Sequence, residues 1–303
     1  MLNIARTDSL CDFLKIEPLD LDLICQNLIH QPHLLYRKMD LLIKGKLRPI
    51  VKPLGTLSGI QKRINHRLQQ LPLHGSIYGG RKGRSAIDNA LLHCRKPYII
   101  KMDIKDFFPS ITNKRVYELF WKKYNCSPDI ARILTRLTTY EGCLPQGAHT
   151  SPIIASAISE PLAHRISVLS KQRNATFSIY IDDITVSGGL HIEKMIPVIE
   201  SIIEDLKFRV HPGKTEFISN DDVQIVTGVR VNYGRDIPPQ KIKELRARLR
   251  KFDKGLEFLS EKEFNSIRGL ITYFANLNPG TAKHYKKELR RIVDKQRSLR
   301  KAS

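Results

Sequence analysis

Two adjacent aspartates, Asp182 and Asp183, lie between two short runs that are typical of β-strands. Residues 177–179 and 184–186 are mostly β-branched or aromatic, so the segment is predicted to form a β-hairpin with its acids at the turn. Ionised neighbouring carboxylates repel each other, and a hard divalent cation, which prefers oxygen ligands, would offset that repulsion. The segment is therefore either a metal site for phosphoryl transfer or an ordinary turn, where aspartate is common.

The charge of the chain favours a polyanionic partner such as nucleic acid. Among 303 residues there are 51 Lys and Arg against 30 Asp and Glu, a net charge of +21. Hydrophobic residues make up 41% of the sequence, enough for a sizeable core divided among two or three subdomains. No apolar run is long enough to span a membrane, and residues 1–10 lack the apolar segment of a signal peptide. We therefore expect an intracellular, cytoplasmic protein without a membrane partner.

A second acidic element precedes the hairpin. Residues 98–102 read as an apolar strand, which Asp103 closes and which Phe107 and Phe108 follow. A buried strand explains the apolar residues but not the acid at its end. If this strand lies beside the hairpin, three carboxylates converge, enough to hold two divalent ions for an in-line displacement.

Several basic or polar segments are candidate contacts for phosphates or nucleotides, although each is also compatible with a solvated loop. They are a hairpin over residues 41–51 that presents Arg48, a glycine-rich loop over 79–85 that contains Arg81, Lys82 and Arg84, the polar residue Gln146 beside Gly147, and a turn that carries Lys214. His93, on a short helix that includes Asn89, is more often structural than a ligand at such a position.

Three further segments carry structural expectations. Residues 192–206 are predicted to form a helix that is interrupted or bent near Pro197, and a helix is predicted from Ser151 to about Leu169. Residues 223–231 read as one strand with a bulge at Thr227 and Gly228.

From residue 241 onward, predicted helices carry 18 Lys and Arg against 7 Asp and Glu. This excess favours binding to a nucleic-acid backbone over a merely solvated face.

In order along the chain, these segments resemble the reverse transcriptases, and within them the bacterial retron type. Tyr180–Asp183 resembles the Tyr-x-Asp-Asp box, Asp103–Phe108 the first metal-binding motif, and Leu144–Gly147 the nucleotide-contact loop, with Ser151 and Pro152 at the family's distance. Asn89–His93 and Val226–Gly228 resemble the Asn-Ala-x-x-His and Val-Thr-Gly elements of retron enzymes. The chain departs from the family at Ile181, where alanine is commoner, and at residues 148–150.

The resemblance implies a right-hand polymerase fold of the α+β or α/β class, with fingers, a palm containing an antiparallel sheet, and a helical thumb. Residues 1–37 would form an N-terminal helical extension, 38–96 with 112–149 the fingers, 97–111 with 150–236 the palm, and 237–303 a basic helical thumb.

The resemblance also implies roles for individual residues. Asp103, Asp182 and Asp183 would hold two Mg²⁺ ions, and Lys214 would protonate the leaving group. Arg48, Lys46 and Gln146 would bind the incoming nucleotide, whose sugar Phe108 would select. The expected nucleic-acid contacts are Arg81, Lys82, Arg84, Asn89, His93, Thr227, Gly228, Arg246, Arg250, Lys286 and Arg290.

The implied function is RNA-directed DNA synthesis on a structured non-coding RNA. A 2′-hydroxyl of the RNA would prime the synthesis, which would yield RNA-linked single-stranded DNA (msDNA). The implied context is anti-phage defence with a separate effector protein, and a host RNase H would remove the template. The alternatives are another prokaryotic reverse transcriptase, such as a group II intron-like enzyme, and a catalytically silent RNA-binding scaffold, against which the three intact acids argue.

Overall fold

The protein is a mixed chain of helices and strands. The computed structural model describes residues 1–43, 45–254 and 257–302, with side chains for all of these except 43, 46 and 299–302. The helices are α1 (Thr7–Leu14), α2 (Pro18–His30), α3 (Gly55–Leu68), α4 (Ala86–Leu91), α5 (Phe107–Ser110), α6 (Asn113–Glu118), α7 (Pro128–Thr138), α8 (Ser151–Ile158), α9 (Glu160–Gln172), α10 (Ile196–Asp205), α11 (Pro239–Asp253), α12 (Glu261–Ala275) and α13 (Pro279–Ala302). The strands are β1 (Tyr36–Ile43), β2 (Lys46–Pro53), β3 (Tyr98–Asp103), β4 (Thr176–Tyr180), β5 (Asp183–Gly188), β6 (Glu216–Ser219), β7 (Ile225–Val226) and β8 (Val229–Arg230). Segments of 3₁₀-helix cover Pro32–Leu34 and Leu190–Met195, and a π-helical segment covers Leu119–Lys123.

The chain divides into two compact units. Unit 1 comprises residues 1–85 and 100–217, and unit 2 comprises residues 86–99 and 218–303. These boundaries differ from the predicted division into extension, fingers, palm and thumb, because residues 86–99 group with the C-terminal part of the chain. Among the described residues, no helix combines the length and the apolar character needed to cross a membrane.

In unit 1, β4, β5, residues 100–103 of β3 and residues 216–217 of β6 lie in a four-stranded sheet of the order β4-β5-β3-β6. β4 and β5 pair antiparallel, from Thr176 opposite Ser187 to Tyr180 opposite Asp183, which confirms the predicted acidic hairpin. Apolar side chains such as Ile100 and Ile184 are buried in these strands. Asp103 is the last residue of β3, and Asp183 is the first residue of β5. The acids therefore lie where buried strands end.

A second hairpin of unit 1 joins β1 to β2. The two strands pair antiparallel from Tyr36 opposite Pro53 to Ile43 opposite Lys46, which confirms the predicted basic hairpin and extends it at both ends. Arg48 lies opposite Leu41 and is exposed. The side chain of Lys46, another predicted nucleotide contact, lies outside the described part of the chain.

Unit 2 is a small helical bundle with its own apolar core. Buried residues of α11, α12 and α13 form this core together with residues of β7 and β8, and its members include Leu245, Leu249, Phe274, Ile292 and Val226. Ser260 caps α12, because its hydroxyl accepts a hydrogen bond from the Glu263 amide at 3.2 Å.

Residues 223–231 do not form the single bulged strand that the sequence predicts. β7 and β8 pair antiparallel with Val226 opposite Val229, so Thr227 and Gly228 are the two residues of a tight turn. Both have positive φ angles, 44° and 80°. Positive φ at both central residues is the pattern of a type I′ turn, whose twist matches that of two antiparallel strands. The Thr-Gly pair therefore closes a hairpin.

Two predicted helices are divided in the structure. The helix predicted to be interrupted or bent near Pro197 is interrupted, because a 3₁₀ segment ends at Met195 and α10 begins at Ile196. Proline is favourable in the first turn of a helix, where its missing N–H has no partner to lose, so Pro197 starts α10 and does not bend it. The apolar helix predicted from Ser151 to about Leu169 is two helices, α8 and α9, with Ser159 between them.

Candidate active site

Asp182 lies in the two-residue turn between β4 and β5, and Asp183 follows it as the first residue of β5. Because Tyr180 pairs with Asp183, Ile181 and Asp182 are the central residues of this turn, which we call the acidic turn (Tyr180–Asp183). Ile181 has a φ of 60°, a left-handed conformation that is strained for a β-branched residue. Such strain costs on the order of 1–3 kcal/mol and persists only where the surroundings impose it. The packing around the acidic turn must therefore stabilise this conformation.

Gly79 provides that packing. Its backbone follows β4, since the amides of Tyr78 and Gly79 both donate to the carbonyl of Ile179, at 2.8 and 3.4 Å. A Cβ atom on Gly79 would lie 2.2 Å from the backbone nitrogen of Ile181, closer than any real contact. The hydroxyl of Ser156 fixes Gly79 from the other side by donating to its carbonyl at 2.7 Å. Only glycine allows the chain to pass this close to the acidic turn.

The glycine-rich loop thus has a role that the sequence did not reveal. Its glycines suggested an approach to phosphate, but Gly79 approaches Ile181, and a Cβ on Gly80 would lie 2.6 Å from the carbonyl oxygen of Pro152 at the start of α8. Both partners lie far away along the chain, so no local pattern could have identified them. The paired glycines are the only local sign that a close approach occurs.

Asp103 is joined to the acidic turn through the backbone. The amide of Ile104 donates to the carbonyl of Asp182 at 3.1 Å, and the carbonyl of Asp103 accepts from the amide of His211 at 2.7 Å. The first bond fixes the strand that delivers Asp103 against the turn that carries Asp182. The second attaches the segment that leads to Lys214.

The carboxylates and Lys214 form one electrostatic group. The ammonium of Lys214 donates to Oδ2 of Asp103 at 2.8 Å. Burial raises the pKa of Asp182, and the charge of Asp103 raises it further, whereas a backbone hydrogen bond and the charges of Lys214 and Arg48 lower it. Although part of Asp183 is open to solvent, loss of water around its carboxyl, followed by the charges of Asp182 and Asp103, raises its pKa to about 6. The charges of Lys101 and Lys214 lower the pKa of Asp183 but do not offset the effect of burial, so a further cation would stabilise the ionised carboxyls.

The donor set fits a hard divalent cation, although the side chains are not already arranged as a metal cage. Within the described residues, no group of three or more His, Cys, Asp or Glu side chains is placed to hold a metal ion. However, carboxylate oxygens are the ligands that such cations prefer, and Mg²⁺ typically takes only one or two protein carboxylates together with substrate phosphates. Asp103, Asp182 and Asp183 match that requirement.

The predicted nucleotide-contact loop packs on the β1–β2 hairpin. The carbonyl of Gln146 accepts from the amide of Val51 at 2.8 Å. Gly147 has a φ of 114°, and a Cβ on it would lie 2.5 Å from Cγ2 of Ile50. These contacts attach the loop that carries Gln146 to the strand that carries Arg48, and both side chains stay at least partly accessible.

Phe108 lies on the short helix α5, five residues beyond Asp103. Its neighbour Phe107 is buried, and the Phe107 ring lies 5.7 Å from the rings of both Phe108 and Phe208. Phe108 is only half-buried. Phe107 therefore anchors the helix in the core of unit 1, and Phe108 is the aromatic ring left accessible.

The three cations of the glycine-rich loop differ in their contacts. The guanidinium of Arg81 donates to the carbonyls of His74 and Ile77 at 3.3 and 3.2 Å, so this side chain stabilises the loop itself. The guanidinium of Arg84 lies 4.5 Å from the centre of the Tyr78 ring. Lys82 and Arg84 are exposed, so these two side chains are accessible to a phosphate backbone.

The retron-like elements Asn89–His93 and Val226–Gly228 meet inside unit 2. The hydroxyl of Thr227 donates to the carbonyl of Ala86 at 2.6 Å and accepts from the Asn89 amide at 3.5 Å. Asn89 and His93 are buried, and burial, aided by the charge of Lys96, lowers the pKa of His93 to about 3. A buried, neutral histidine cannot attract phosphate. These contacts therefore connect α4 to the Thr227–Gly228 turn, whereas the sequence predicted a direct nucleic-acid contact.

The predicted thumb contacts lie on two helices of unit 2. Arg246 and Arg250 are exposed on α11, and Lys286 and Arg290 are exposed on α13. The guanidinium of Arg246 donates to the hydroxyl of Tyr285 at 2.7 Å, which fixes it beside α13. The spacing of four residues places each pair on one face of its helix.

Comparison with known proteins identifies the family. The family model described as reverse transcriptase (RNA-dependent DNA polymerase) matches residues 36–259. The chain is 29% identical to the retron Mx162 reverse transcriptase of Myxococcus xanthus over 282 residues, which cover 81% of this chain and 58% of that protein. It is 30% identical to the retron Ec73 reverse transcriptase of Escherichia coli over 260 residues, which cover 78% of this chain and 81% of that protein.

The fold agrees with this assignment. A solved structure of telomerase from Candida albicans, in complex with a TWJ fragment of telomeric RNA, superposes with a TM-score of 0.54 at 11% identity. The match covers 86% of this chain and 56% of the telomerase chain. At this identity the likeness concerns the fold alone, and it confirms the predicted right-hand polymerase fold. The chain belongs to the reverse transcriptase family, and within it to the retron type.

Proposed function

We propose that this chain is an RNA-directed DNA polymerase that copies a structured non-coding RNA into single-stranded DNA. The hydrogen bond from the Ile104 amide to the Asp182 carbonyl carries the proposal, because it fixes Asp103 and the acidic turn against each other. Three carboxylates at adjoining strand ends suit metal-assisted nucleotidyl transfer and have no evident use in a purely structural turn. They also argue against a catalytically silent scaffold.

Members of the family use divalent metal ions, and here we propose that Asp103, Asp182 and Asp183 hold two Mg²⁺. When bound, such ions activate the attacking hydroxyl and neutralise the charge on the leaving pyrophosphate. Lys214 holds a proton at Nζ beside Asp103. It is therefore our candidate for the residue that protonates the leaving group.

The incoming nucleotide is proposed to bind between the β1–β2 hairpin and the loop of Gln146. Arg48 would contact the triphosphate, together with Lys46, and Gln146 would contact the nucleotide. The support is that the Gln146 backbone is bonded to β2 and that the charge of Arg48 reaches Asp182. In this proposal the fingers, palm and thumb keep the boundaries that the sequence indicates.

The partners are proposed from the retron relatives. They are the structured RNA that serves as template and, through a 2′-hydroxyl, as primer, the msDNA product, a separate effector protein in anti-phage defence, and a host RNase H. The chain spans 58% of the Mx162 relative's length, so the activity of that whole protein is carried over only as a proposal. Lys82, Arg84, Arg246, Arg250, Lys286 and Arg290 are exposed candidates for contacts to the nucleic acid.

RNA-templated incorporation of deoxynucleotides by the purified chain tests the proposal. We expect DNA synthesis to require a divalent cation, to stop when EDTA removes the metal, and to return with added Mg²⁺, because the three carboxylates are proposed to act through bound metal ions. Primer extension resolved on a sequencing gel measures this. Binding of RNA without any incorporation would instead identify a silent scaffold, and synthesis that persists in EDTA would contradict the metal assignment.

Replacing Phe108 by alanine is expected to relax discrimination against ribonucleotides by about 10- to 100-fold, since the ring is our candidate barrier to the 2′-hydroxyl. The ratio of kcat/KM for a deoxynucleotide and its matching ribonucleotide measures this. Phe108→Tyr keeps the ring and serves as the control. Equal discrimination in the alanine variant and the native protein would show that another residue selects the sugar.

A further inference from the structure

A cavity of about 650 Å³ lies in unit 1, away from the acidic turn, between the N-terminal residues and one face of α3. Phe13 and Lys15 line it on one side, and Lys62, Arg63, His66 and Arg67 line it on the other. The lining, which consists of described residues, includes no Asp or Glu. Four permanent cations and a histidine therefore share one concave surface.

The helix residues of this group are placed by their spacing. Lys62 and His66, and likewise Arg63 and Arg67, lie four residues apart, so they stack along one face of α3. The opposite face carries Ile60, Ile64 and Leu68, which are buried in unit 1. Like charges at this spacing destabilise a helix unless an anion lies between them. The arrangement therefore favours a bound anion.

In the part of the chain that the structure describes, no acidic side chain forms an ion pair with the basic residues of the cavity. Among the described residues, ion pairs neutralise other exposed cations of unit 1, such as Lys122 with Glu118 and Arg132 with Asp129, but none includes the five basic residues of the cavity. Arg67 and His66 instead share the neutral side chain of Gln70, at 2.9 and 3.2 Å. These hydrogen bonds orient the two groups without cancelling their charge.

The face of α3 that carries these residues begins at the loop of Gln146. Ser58, one turn before Lys62, has its hydroxyl 2.9 Å from Nε2 of His149, which follows Gln146 by three residues. From Lys62 to Arg67 the helix axis covers about 8 Å, and Lys15 lines the cavity from the N-terminal segment. Cations spread over this distance and over two walls suit more than one phosphate of a chain better than one free anion.

We infer that the N-terminal residues and α3 form a backbone-binding pocket for single-stranded RNA, distinct from the acidic turn. The inference rests on the proposed function for the identity of the polyanion. Lys15, Lys62, Arg63 and Arg67 neutralise phosphates and release their counterions, which makes the binding free energy depend on salt. The half-buried Phe13 gives the pocket an apolar wall. The N-terminal segment thereby becomes part of the nucleic-acid surface.

The test compares two double variants of the full chain that lose the same charge. Arg63→Gln/Arg67→Gln removes unpaired cations, whereas Lys122→Gln/Arg132→Gln removes cations that are already paired. Fluorescence anisotropy with a labelled RNA of about 12 nucleotides gives Kd over a range of salt concentrations. For single strands each lost phosphate contact lowers the slope of log Kd against log salt by about 0.7, so we expect a decrease of about 1.4 in the first variant and none in the second.

Equal slopes in both variants and the native chain would overturn the inference. An equal decrease in both would also overturn it, because net charge alone would then explain binding. Arg63→Lys/Arg67→Lys should keep the native slope, which separates loss of charge from misfolding. Inorganic phosphate can also be added as a competitor. If it displaces RNA from the native chain at concentrations that leave RNA bound to Arg63→Gln/Arg67→Gln, the pocket binds a free anion and the inference is wrong.

The binding assay needs no DNA synthesis, so a failure of the pocket and a failure of the proposed function can be told apart. If Arg63→Gln/Arg67→Gln lowers the slope as expected but the native chain makes no DNA, the pocket is supported and the polymerase proposal is contradicted. If the native chain makes DNA but the substitutions leave the slope unchanged, the polymerase proposal is supported and the pocket is contradicted.

Discussion

Replacing Asp182 by asparagine is expected to lower the rate of RNA-templated DNA synthesis by about 1000-fold or more, while RNA affinity changes by less than about twofold. Loss of a metal-binding carboxylate removes several kcal/mol of transition-state stabilisation, and each 1.36 kcal/mol is a factor of ten in rate. Asparagine keeps the shape of the side chain but not its charge. Single-turnover primer extension measures the rate, and anisotropy measures RNA affinity.

The same substitution should leave the fold intact. The bond that fixes Asp182 to Ile104 uses the main-chain carbonyl, which asparagine keeps. Burial raises the pKa of Asp182, so the ionised carboxyl is less favourable in the folded chain than in the unfolded chain. A neutral side chain removes that penalty at neutral pH, and we expect a melting temperature equal to or above the native value.

Asp205→Asn is the matched control. Asp205 pairs with Arg165 on the exposed surface of unit 1, with 57% of its side chain accessible. An exposed pair of this kind contributes little to stability, and synthesis should proceed at the native rate. If Asp182→Asn polymerises within about tenfold of the native rate, the acidic turn is not the catalytic centre.

The acidic turn and the strand of Asp103 could be predicted because their signals are local. Short runs of β-branched and aromatic residues define β4 and β5, and pairing them leaves only the two central residues, Ile181 and Asp182, between the strands. An apolar run closed by an acid defines β3. Such patterns also explain why Arg48 was expected on a hairpin, which the structure confirms.

Features that depend on distant partners could not be predicted. The hydroxyl of Thr227 bonds to Ala86 and Asn89, which precede it by 141 and 138 positions. Similarly, His93 follows α4, and its burial in unit 2 depends on tertiary packing. The hydrogen bond between Lys214 and Asp103 joins residues more than 100 positions apart, so no spacing rule reveals it.

Gly79→Ala is expected to slow DNA synthesis by about 100-fold, although Gly79 is not a predicted ligand of metal or substrate. The added Cβ would lie 2.2 Å from the Ile181 nitrogen, so either the acidic turn or residues 78–80 must move. A displacement of about 1 Å of a catalytic group can cost about 100-fold in rate, and overpacking typically costs about 1–3 kcal/mol of stability. Primer extension and urea denaturation measure the two effects.

Gly75→Ala is the matched control, because it lies in the same connecting segment with no atom within 4 Å of its Cβ. We expect native activity and a free energy of unfolding within about 0.5 kcal/mol of the native value.

The double variant Gly79→Ala/Ile181→Ala identifies the atoms that require glycine at position 79. Alanine at position 181 removes the side-chain contacts at 2.7 and 2.9 Å but leaves the one to the backbone nitrogen at 2.2 Å. Because a backbone atom cannot rotate away, the second substitution should not restore synthesis; a recovered rate would mean that the isoleucine side chain, and not the path of the acidic turn, requires glycine at position 79.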